Sequence, residues 1–190
     1  TLGQLGGAFR VESLLGPAEV GADFVTRGGL YPVYGGDISS PLGPFDFYAE
    51  AACISGAIVP HYVSLRSPST GADIAALFMA NIPQGPFYQA SAGLNYQFAW
   101  MLNRQATIGG EYFFNELGYN SASAYPVLIF QNQYQPFYAG KHYAAAYITA
   151  EGPDSARRTS YTLSTLGNLA DSTFISRLDF VWRILTYITF

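Results

Sequence analysis

The segment Gln89 to Trp100 alternates strictly between two kinds of side chain. One set is polar or small, and the other is apolar or aromatic and comprises Ala90, Ala92, Leu94, Tyr96, Phe98 and Trp100. Successive side chains of a β-strand point to opposite faces, whereas those of a helix repeat every 3.6 residues. The segment therefore predicts a β-strand with one apolar face and one polar face.

The same alternation recurs along the chain, and charged residues recur on one face of strand after strand. It predicts further strands over Ala8–Leu15, Ala18–Thr26, Phe45–Ile54, Thr107–Phe114, Phe137–Thr149, Thr159–Leu169, Asp171–Arg183 and a last segment ending at Phe190. The total is about ten strands, which is within the size range of small β-barrels. The sequence thus predicts an all-β fold in a single domain over residues 1–190.

Alternation alone does not say which face meets water, because a soluble sandwich or barrel hides its apolar face inside. Composition favours the opposite arrangement. Only 12% of the residues are charged, against about 25% in an ordinary soluble domain. Aromatic residues reach 16%, with 15 tyrosines. So few charges would cover a soluble protein poorly, but they suffice for a barrel with lipid outside and a polar lumen inside.

Other classes fit less well. No apolar run approaches the roughly 18 residues of a transmembrane helix. The single cysteine, Cys53, has no partner for a disulfide and lies on an apolar face. A net charge of -4 argues against a nucleic-acid partner, which would require a basic surface. The opening residues lack a cationic start followed by an apolar core, so we expect any export signal to be absent from this sequence.

The connections between the predicted strands differ in length. Gly16-Pro17 and Met101–Gln105 are short, as expected on the periplasmic side of an outer-membrane barrel. The long connections, Arg27–Pro44 and Asn115–Pro136, are rich in Gly, Pro, Asn, Ser and Tyr, and we expect them to face the cell exterior.

Strand parity then requires one more ascending strand between Ile54 and Tyr88. One candidate is Ala57–Leu65, which Pro60 interrupts. The other is Ala72–Ile82, which is equally consistent with a short helix beginning at Asp73, because periodicity does not separate the two.

Four segments carry a resemblance to a known family. They are Ala92-Gly-Leu-Asn-Tyr-Gln-Phe98, Gly110-Glu-Tyr-Phe-Phe114, Tyr138-Ala-Gly-Lys-His-Tyr143 and Gly167-Asn-Leu-Ala-Asp-Ser172. Over about half of the chain this pattern resembles bacterial outer-membrane β-barrel proteins of the porin-like type. The final Phe190 resembles the terminal aromatic residue of such barrels. The resemblance implies a transmembrane antiparallel up-and-down β-barrel in a Gram-negative outer membrane, or a large part of a bigger barrel.

In this interpretation the charged face lines the lumen and the aromatic face meets lipid. The predicted lumen-lining residues are Arg10, Glu12, Glu19, Asp23, Asp46, Glu50, Glu111, Arg177, Asp179 and Arg183. The predicted membrane-facing aromatic residues are Phe9, Phe24, Phe45, Phe47, Tyr96, Phe98, Trp100, Tyr112, Phe114, Phe180 and Trp182. A surplus of carboxylates favours cations, so the sequence predicts a passive, weakly cation-selective diffusion channel for small solutes or ions.

Two alternatives stay open. Side chains alone can fill a small barrel, which would then be a plugged membrane anchor or scaffold that contacts other envelope proteins through residues 27–44 and 115–136. A soluble β-barrel that binds an apolar ligand inside is the other.

The sequence contains no convincing catalytic or metal-binding pattern, and it predicts no enzyme, cofactor or metal site. His61 and His142 are the only histidines, and no Gly-x-Ser-x-Gly motif is present. His142 is expected to lie in the lumen near a carboxylate, so an outer-membrane hydrolase is not excluded. Tyr125–Tyr134, with several Gln and Asn residues close by, suggests a surface for sugars or a partner protein.

Overall fold

The computed structural model describes residues 5–58, 60–66, 73–101, 104–153, 158–185 and 188–189. These residues form an all-β structure with almost no helix. The strands are β1 Gly6–Leu15, β2 Ala18–Arg27, β3 Val33–Leu42, β4 Phe45–Ile54, β5 His61–Arg66, β6 Asp73–Asn81, β7 Phe87–Met101, β8 Arg104–Asn115, β9 His142–Glu151, β10 Thr159–Asn168, β11 Thr173–Leu185 and β12 Ile188–Thr189.

One antiparallel sheet dominates the fold. Nine strands pair in the order β1-β2-β3-β4-β7-β8-β9-β10-β11, and the two-residue β12 pairs with the end of β11. The described part of this sheet does not close into a barrel, because β1 has no partner on its outer side and β11 has only β12. The up-and-down antiparallel order is confirmed, whereas the closed barrel is not observed. Phe190, which resembles the terminal aromatic residue of porin-like barrels in the sequence, lies outside the described residues.

The two longest connections lie at the same end of the sheet. At one end, two-residue turns at Gly16-Pro17 and Gly43-Pro44 place glycine first, each with φ 64°. This backbone conformation is one that side chains other than glycine rarely adopt, and it suits two-residue hairpins. At the other end the connections include residues 55–86 and 116–141.

The predicted loop Arg27–Pro44 is wrong, because most of it is strand β3. Gly35 and Gly36, which favour a turn in the sequence, lie in the strand, and so does Pro41. Pairing between β2 and β3 extends only from Glu19 opposite Ser39 to Val25 opposite Val33, so Pro41 lies beyond it. Its missing N–H therefore removes no hydrogen bond to β2.

The extra ascending strand expected between Ile54 and Tyr88 is also wrong. Strand β4 pairs directly with β7. No strand is missing between them, because β3 is the additional strand that the up-and-down order required. The intervening residues form the separate hairpin β5-β6, so the helix considered at Asp73 is absent and that segment is a strand.

The remaining boundaries differ by a few residues. Strand β9 begins at His142 rather than at Phe137, because residues 137–141 belong to the preceding connection. That connection contains a 3-10 turn, Ala122–Ala124, and the helix α1, Tyr125–Phe130.

In the part of the chain that the structure describes, no helix has the length and apolar character needed to cross a membrane.

The side chains of the sheet are hardly buried. Among the described residues, no large side chain is fully buried. A small cluster at the end of the sheet with the long connections is formed by Tyr125, Leu128 and Ala139, with Tyr62, Tyr119 and Tyr134 against it. Pairing between strands, rather than a central core, therefore organises most of this fold.

Candidate functional site

The strand register separates the sheet into two chemically different faces. Residues that pair across antiparallel strands lie on the same face. Starting from Arg10, the pairing continues through Asp23 to Gly35 and the rest of one face, which we call the polar face. Starting from Phe9, it continues through Phe24 and Tyr34 across the other face, which we call the apolar face.

All ten predicted lumen-lining residues lie on the polar face by this register and by the alternation within each strand. These are Arg10, Glu12, Glu19, Asp23, Asp46, Glu50, Glu111, Arg177, Asp179 and Arg183. Sequence reasoning missed Asp37, because it assigned β3 to a loop; Asp37 pairs with Glu50 on the same face.

Arg10 gathers three carboxylates from three strands. Its Nε lies 2.6 Å from Oε1 of Glu12, and its two terminal nitrogens lie 3.6 Å from Asp23 Oδ2 and 3.0 Å from Asp37 Oδ1. One guanidinium and three carboxylates leave a local surplus of negative charge. The groups are partly open to water, so these pairs orient the side chains more than they stabilise the fold.

Arg177 and Asp179 form a second pair near the open edge of the sheet. Asp179 Oδ1 accepts from Arg177 Nε at 2.8 Å and lies 2.6 Å from a terminal nitrogen of the same side chain. Both residues belong to β11, so this pair does not bridge the sheet.

On the polar face, long side chains cross over glycines to reach the next strand but one. Tyr48 on β4 passes over Gly93 on β7, and its hydroxyl donates to Glu111 Oε2 on β8 at 2.7 Å. A Cβ built on Gly93 would collide with the Tyr48 ring. Tyr147 on β9 crosses Gly109 in the same way and donates to Asn95 Oδ1 at 2.6 Å.

These crossings link strands that do not pair directly. Adjacent strands lie about 4.8 Å apart, so strands separated by one other are about 10 Å apart. A tyrosine spans that distance only where the intervening residue has no side chain. The sequence does contain these glycines, in the polar positions of the segments that become β7 and β8. Which tyrosine crosses each glycine can be recognised only once the strand register is known.

The apolar face contains every predicted membrane-facing aromatic residue. These are Phe9, Phe24, Phe45, Phe47, Tyr96, Phe98, Trp100, Tyr112, Phe114, Phe180 and Trp182. Many large side chains on this face are open, among them Phe9 at 66% and Leu178 at 72% exposure. Within the paired registers, Asp, Glu, Lys and Arg are all on the polar face except Arg104, which adjoins a register shift at the start of β8.

His142 lies on the apolar face, not on the polar face as expected. It pairs with Phe114, and its Nδ1 lies 2.6 Å from the Tyr112 hydroxyl. The expectation that it meets a lumen carboxylate was wrong, because β9 begins at this residue and directs Tyr143 to the polar face instead. Among the described residues, no group of three or more His, Cys, Asp or Glu side chains is arranged to hold a metal ion.

The connection 116–141 turns back over the polar face. Asn115 Nδ2 donates to the Tyr138 carbonyl at 2.9 Å, and Asn168 Nδ2 donates to the Tyr125 hydroxyl at 2.8 Å. The Tyr138 ring packs edge-on against Phe113, with centroids 5.8 Å apart. Because Asn115, Asn168 and Phe113 are polar-face residues at this end of the sheet, the connection narrows the space above that face.

Two cavities lie beside this connection. The first, of about 270 Å³, lies between residues 57, 58, 60 and 61, the ends of β7 and β8, and the connection 116–141. The second, of about 370 Å³, lies on the polar face and is lined by Arg10, Asp37 and Glu50. Gln89 and Tyr138 line both, so the two cavities adjoin.

An aromatic pair forms one wall of the first cavity. The His61 ring stacks on Tyr119, with centroids 4.3 Å apart and planes 9° apart, and the backbone N–H of Tyr62 donates to the Tyr119 hydroxyl at 2.9 Å. Burial lowers the pKa of His61 and raises that of Tyr119, since each charged form is poorly hydrated there. Both rings are therefore uncharged near neutral pH.

The fold and these two faces define the class of protein only as an open, all-β antiparallel sheet with one apolar and one polar face. No protein-family model matches the chain, and neither a curated protein nor a solved structure gives a significant match.

Proposed function

We propose that the nine-stranded sheet is part of the wall of a β-barrel in a bacterial outer membrane, and that its polar face lines a weakly cation-selective path for small solutes. The observation that carries the proposal is the apolar face. It continues across nine strands, many of its large side chains are open, and within the paired registers of these strands every charged residue except Arg104 lies on the opposite face. Exposed apolar surface on this scale is unusual for a soluble monomer.

Strand dimensions support the same proposal. Six strands, β1 to β4, β9 and β10, are each 10 residues long. A tilted strand needs about 9–11 residues to cross a bilayer. The two longest connections, 55–86 and 116–141, lie at one end of the sheet, and long connections at one end are also typical of such barrels.

The open edges suggest how the wall is completed. Strands β1 and β11 run in the same direction, because each neighbour in the nine-stranded order is antiparallel. Antiparallel closure therefore needs an odd number of further strands between them, and β12 begins one such strand along β11. An even total agrees with bacterial barrels.

Charge supports the expected selectivity. The predicted lumen-lining residues together with Asp37 comprise eight carboxylates and three guanidinium groups, a surplus of five negative charges on the polar face. Rings of Asp and Glu favour cations in pores. The open apolar face argues against a soluble barrel, which would enclose that face.

A plugged scaffold is the second candidate, because the connection 116–141 covers part of the polar face and Arg10 ties three carboxylates together. Conductance in a planar bilayer under a salt gradient separates the two. Discrete steps with a reversal potential of the cation-selective sign support the channel. Stable insertion without conductance refutes it and favours the scaffold.

A further inference from the structure

We propose that the 270 Å³ cavity beneath the connection 116–141 binds a neutral, polyhydroxylated solute, of the size of one or two sugar rings. The inference rests on the proposed function, because it names the class of solute that would be held at the mouth of the path. Residues His61, Gln89, Tyr119, Gln133, Gln135 and Tyr138 are the polar and aromatic groups that carry it.

The described residues that line the cavity carry no Asp, Glu, Lys or Arg charge to attract an ion. Burial also lowers the pKa of His61. The adjoining cavity on the polar face differs, since Arg10, Asp37 and Glu50 line it. An ion would thus find its partners in the second cavity, whereas the first suits an uncharged ligand.

The amide groups match the hydrogen-bonding pattern of a sugar hydroxyl. Each Gln or Asn side chain offers both donors and an acceptor, and each hydroxyl can use both. Gln133 Oε1 is buried and lacks a hydrogen-bond partner among the described residues. A buried acceptor without a donor is unfavourable, so a ligand hydroxyl at this position would satisfy it.

The aromatic groups provide apolar surface for the C–H faces of a sugar ring. Tyr138 is half exposed, while its ring is held edge-on against Phe113. The stacked rings of His61 and Tyr119 lie on the same cavity. Its volume is just below the range of about 300–1,000 Å³ typical of small-molecule pockets, which limits the ligand to a small solute.

The cavity is also placed where a solute would enter. Gln89 and Tyr138 are shared with the polar-face cavity, so a ligand leaving the first cavity meets the acidic face next. The mouth of the path would present uncharged aromatic rings and amides, and the wall beyond it is charged. This order would retain a neutral solute at the mouth before the solute passes the narrow part of the path.

Binding of cellobiose to the detergent-solubilised full chain tests the proposal by calorimetry and saturation-transfer NMR. Cellobiouronate, in which C6 of one ring is a carboxylate, keeps both rings and adds one negative charge, so it is the matched probe. We expect a cellobiose dissociation constant on the order of 1 mM and weaker binding of cellobiouronate. No saturable binding of cellobiose, or equal binding of both, would overturn the proposal.

Two pairs of variants locate the site. Gln133→Leu and Tyr138→Ala should each weaken cellobiose binding about tenfold, because each removes one hydrogen-bonding or stacking partner. The controls are Gln131→Leu and Phe130→Ala, exposed residues of the same connection outside the cavity. Equal weakening in the control variants would refute the location.

The binding assay needs no ion flow, so it fails independently of the channel. Cellobiose binding without conductance supports this site while refuting the channel. Conductance without cellobiose binding refutes this site and leaves the channel standing.

Discussion

Replacement of Gly93 by alanine tests whether the tyrosine crossings hold the sheet together. The new Cβ would overlap the ring of Tyr48, whose hydroxyl bonds to Glu111 across β7. Tyr48 must then move and give up that bond. Gly110→Ala on the neighbouring strand β8 is the matched control, because its Cβ would meet only the Ala145 carbonyl at an ordinary 3.6 Å.

The two changes should have effects of opposite sign. Alanine in place of glycine within a strand gains about 0.5–1 kcal/mol by restricting the unfolded chain. A hydrogen bond to a charged acceptor contributes about 1.5–3 kcal/mol, and the lower end applies here because the pair is only partly buried. We therefore expect Gly93→Ala to lose about 0.5–1 kcal/mol and Gly110→Ala to gain about 0.5–1 kcal/mol.

Urea unfolding from lipid vesicles measures both free energies. A Tyr48→Ala background provides the decisive comparison, because the cost of Gly93→Ala should disappear once the ring is gone. The reasoning is refuted if Gly93→Ala is as well tolerated as Gly110→Ala, or if its cost persists without Tyr48.

Three further predictions follow from the two faces and the cluster at the long connections. Leu94→Arg on the apolar face should make folding into the membrane less favourable by about 2–4 kcal/mol, whereas Ser39→Arg on the polar face should have little effect. Equal folding yields of the two variants into vesicles would contradict this. Asp37→Asn and Glu50→Gln should each shift the bilayer reversal potential toward zero, and an unchanged potential would show that these carboxylates do not face the ion path. Burial lowers the pKa of His61, so the unfolded state binds the proton more readily and stability falls as the pH drops below about 6.5. Limited proteolysis of the connection 116–141 should therefore accelerate between about pH 6.5 and 5 in the parent protein but not in His61→Gln.

Strands with strict alternation were predicted well from sequence. Strand β7 is the clearest example, since every second residue from Ala90 shares a face and the pairing confirms it. Strand β3 was missed because Gly35, Gly36 and Pro41 are turn formers when taken locally. Gly35 instead leaves room for the Asp23 carboxylate, a reason that exists only once β2 lies beside β3.

The candidate site was predictable in part for the same reason. Period-two alternation assigned the charged residues to one face, but it did not show which of them contact one another. The contacts of Arg10 with Asp37 and of Tyr48 with Glu111 depend on strand register and on glycines between the partners. The amide-lined cavity depends on the fold of the connection 116–141, for which periodicity gives no information.

The central claim, that the polar face meets water and the apolar face meets lipid, is tested most directly by cysteine accessibility along β7 in vesicles. Single cysteines at Ser91, Ala92, Leu94, Asn95, Gln97 and Phe98, in a Cys53→Ser background, would be labelled with a water-soluble maleimide. We predict labelling at positions 91, 95 and 97 and protection at 92, 94 and 98. Uniform labelling, or labelling at positions 92, 94 and 98 with protection at 91, 95 and 97, would contradict the claim.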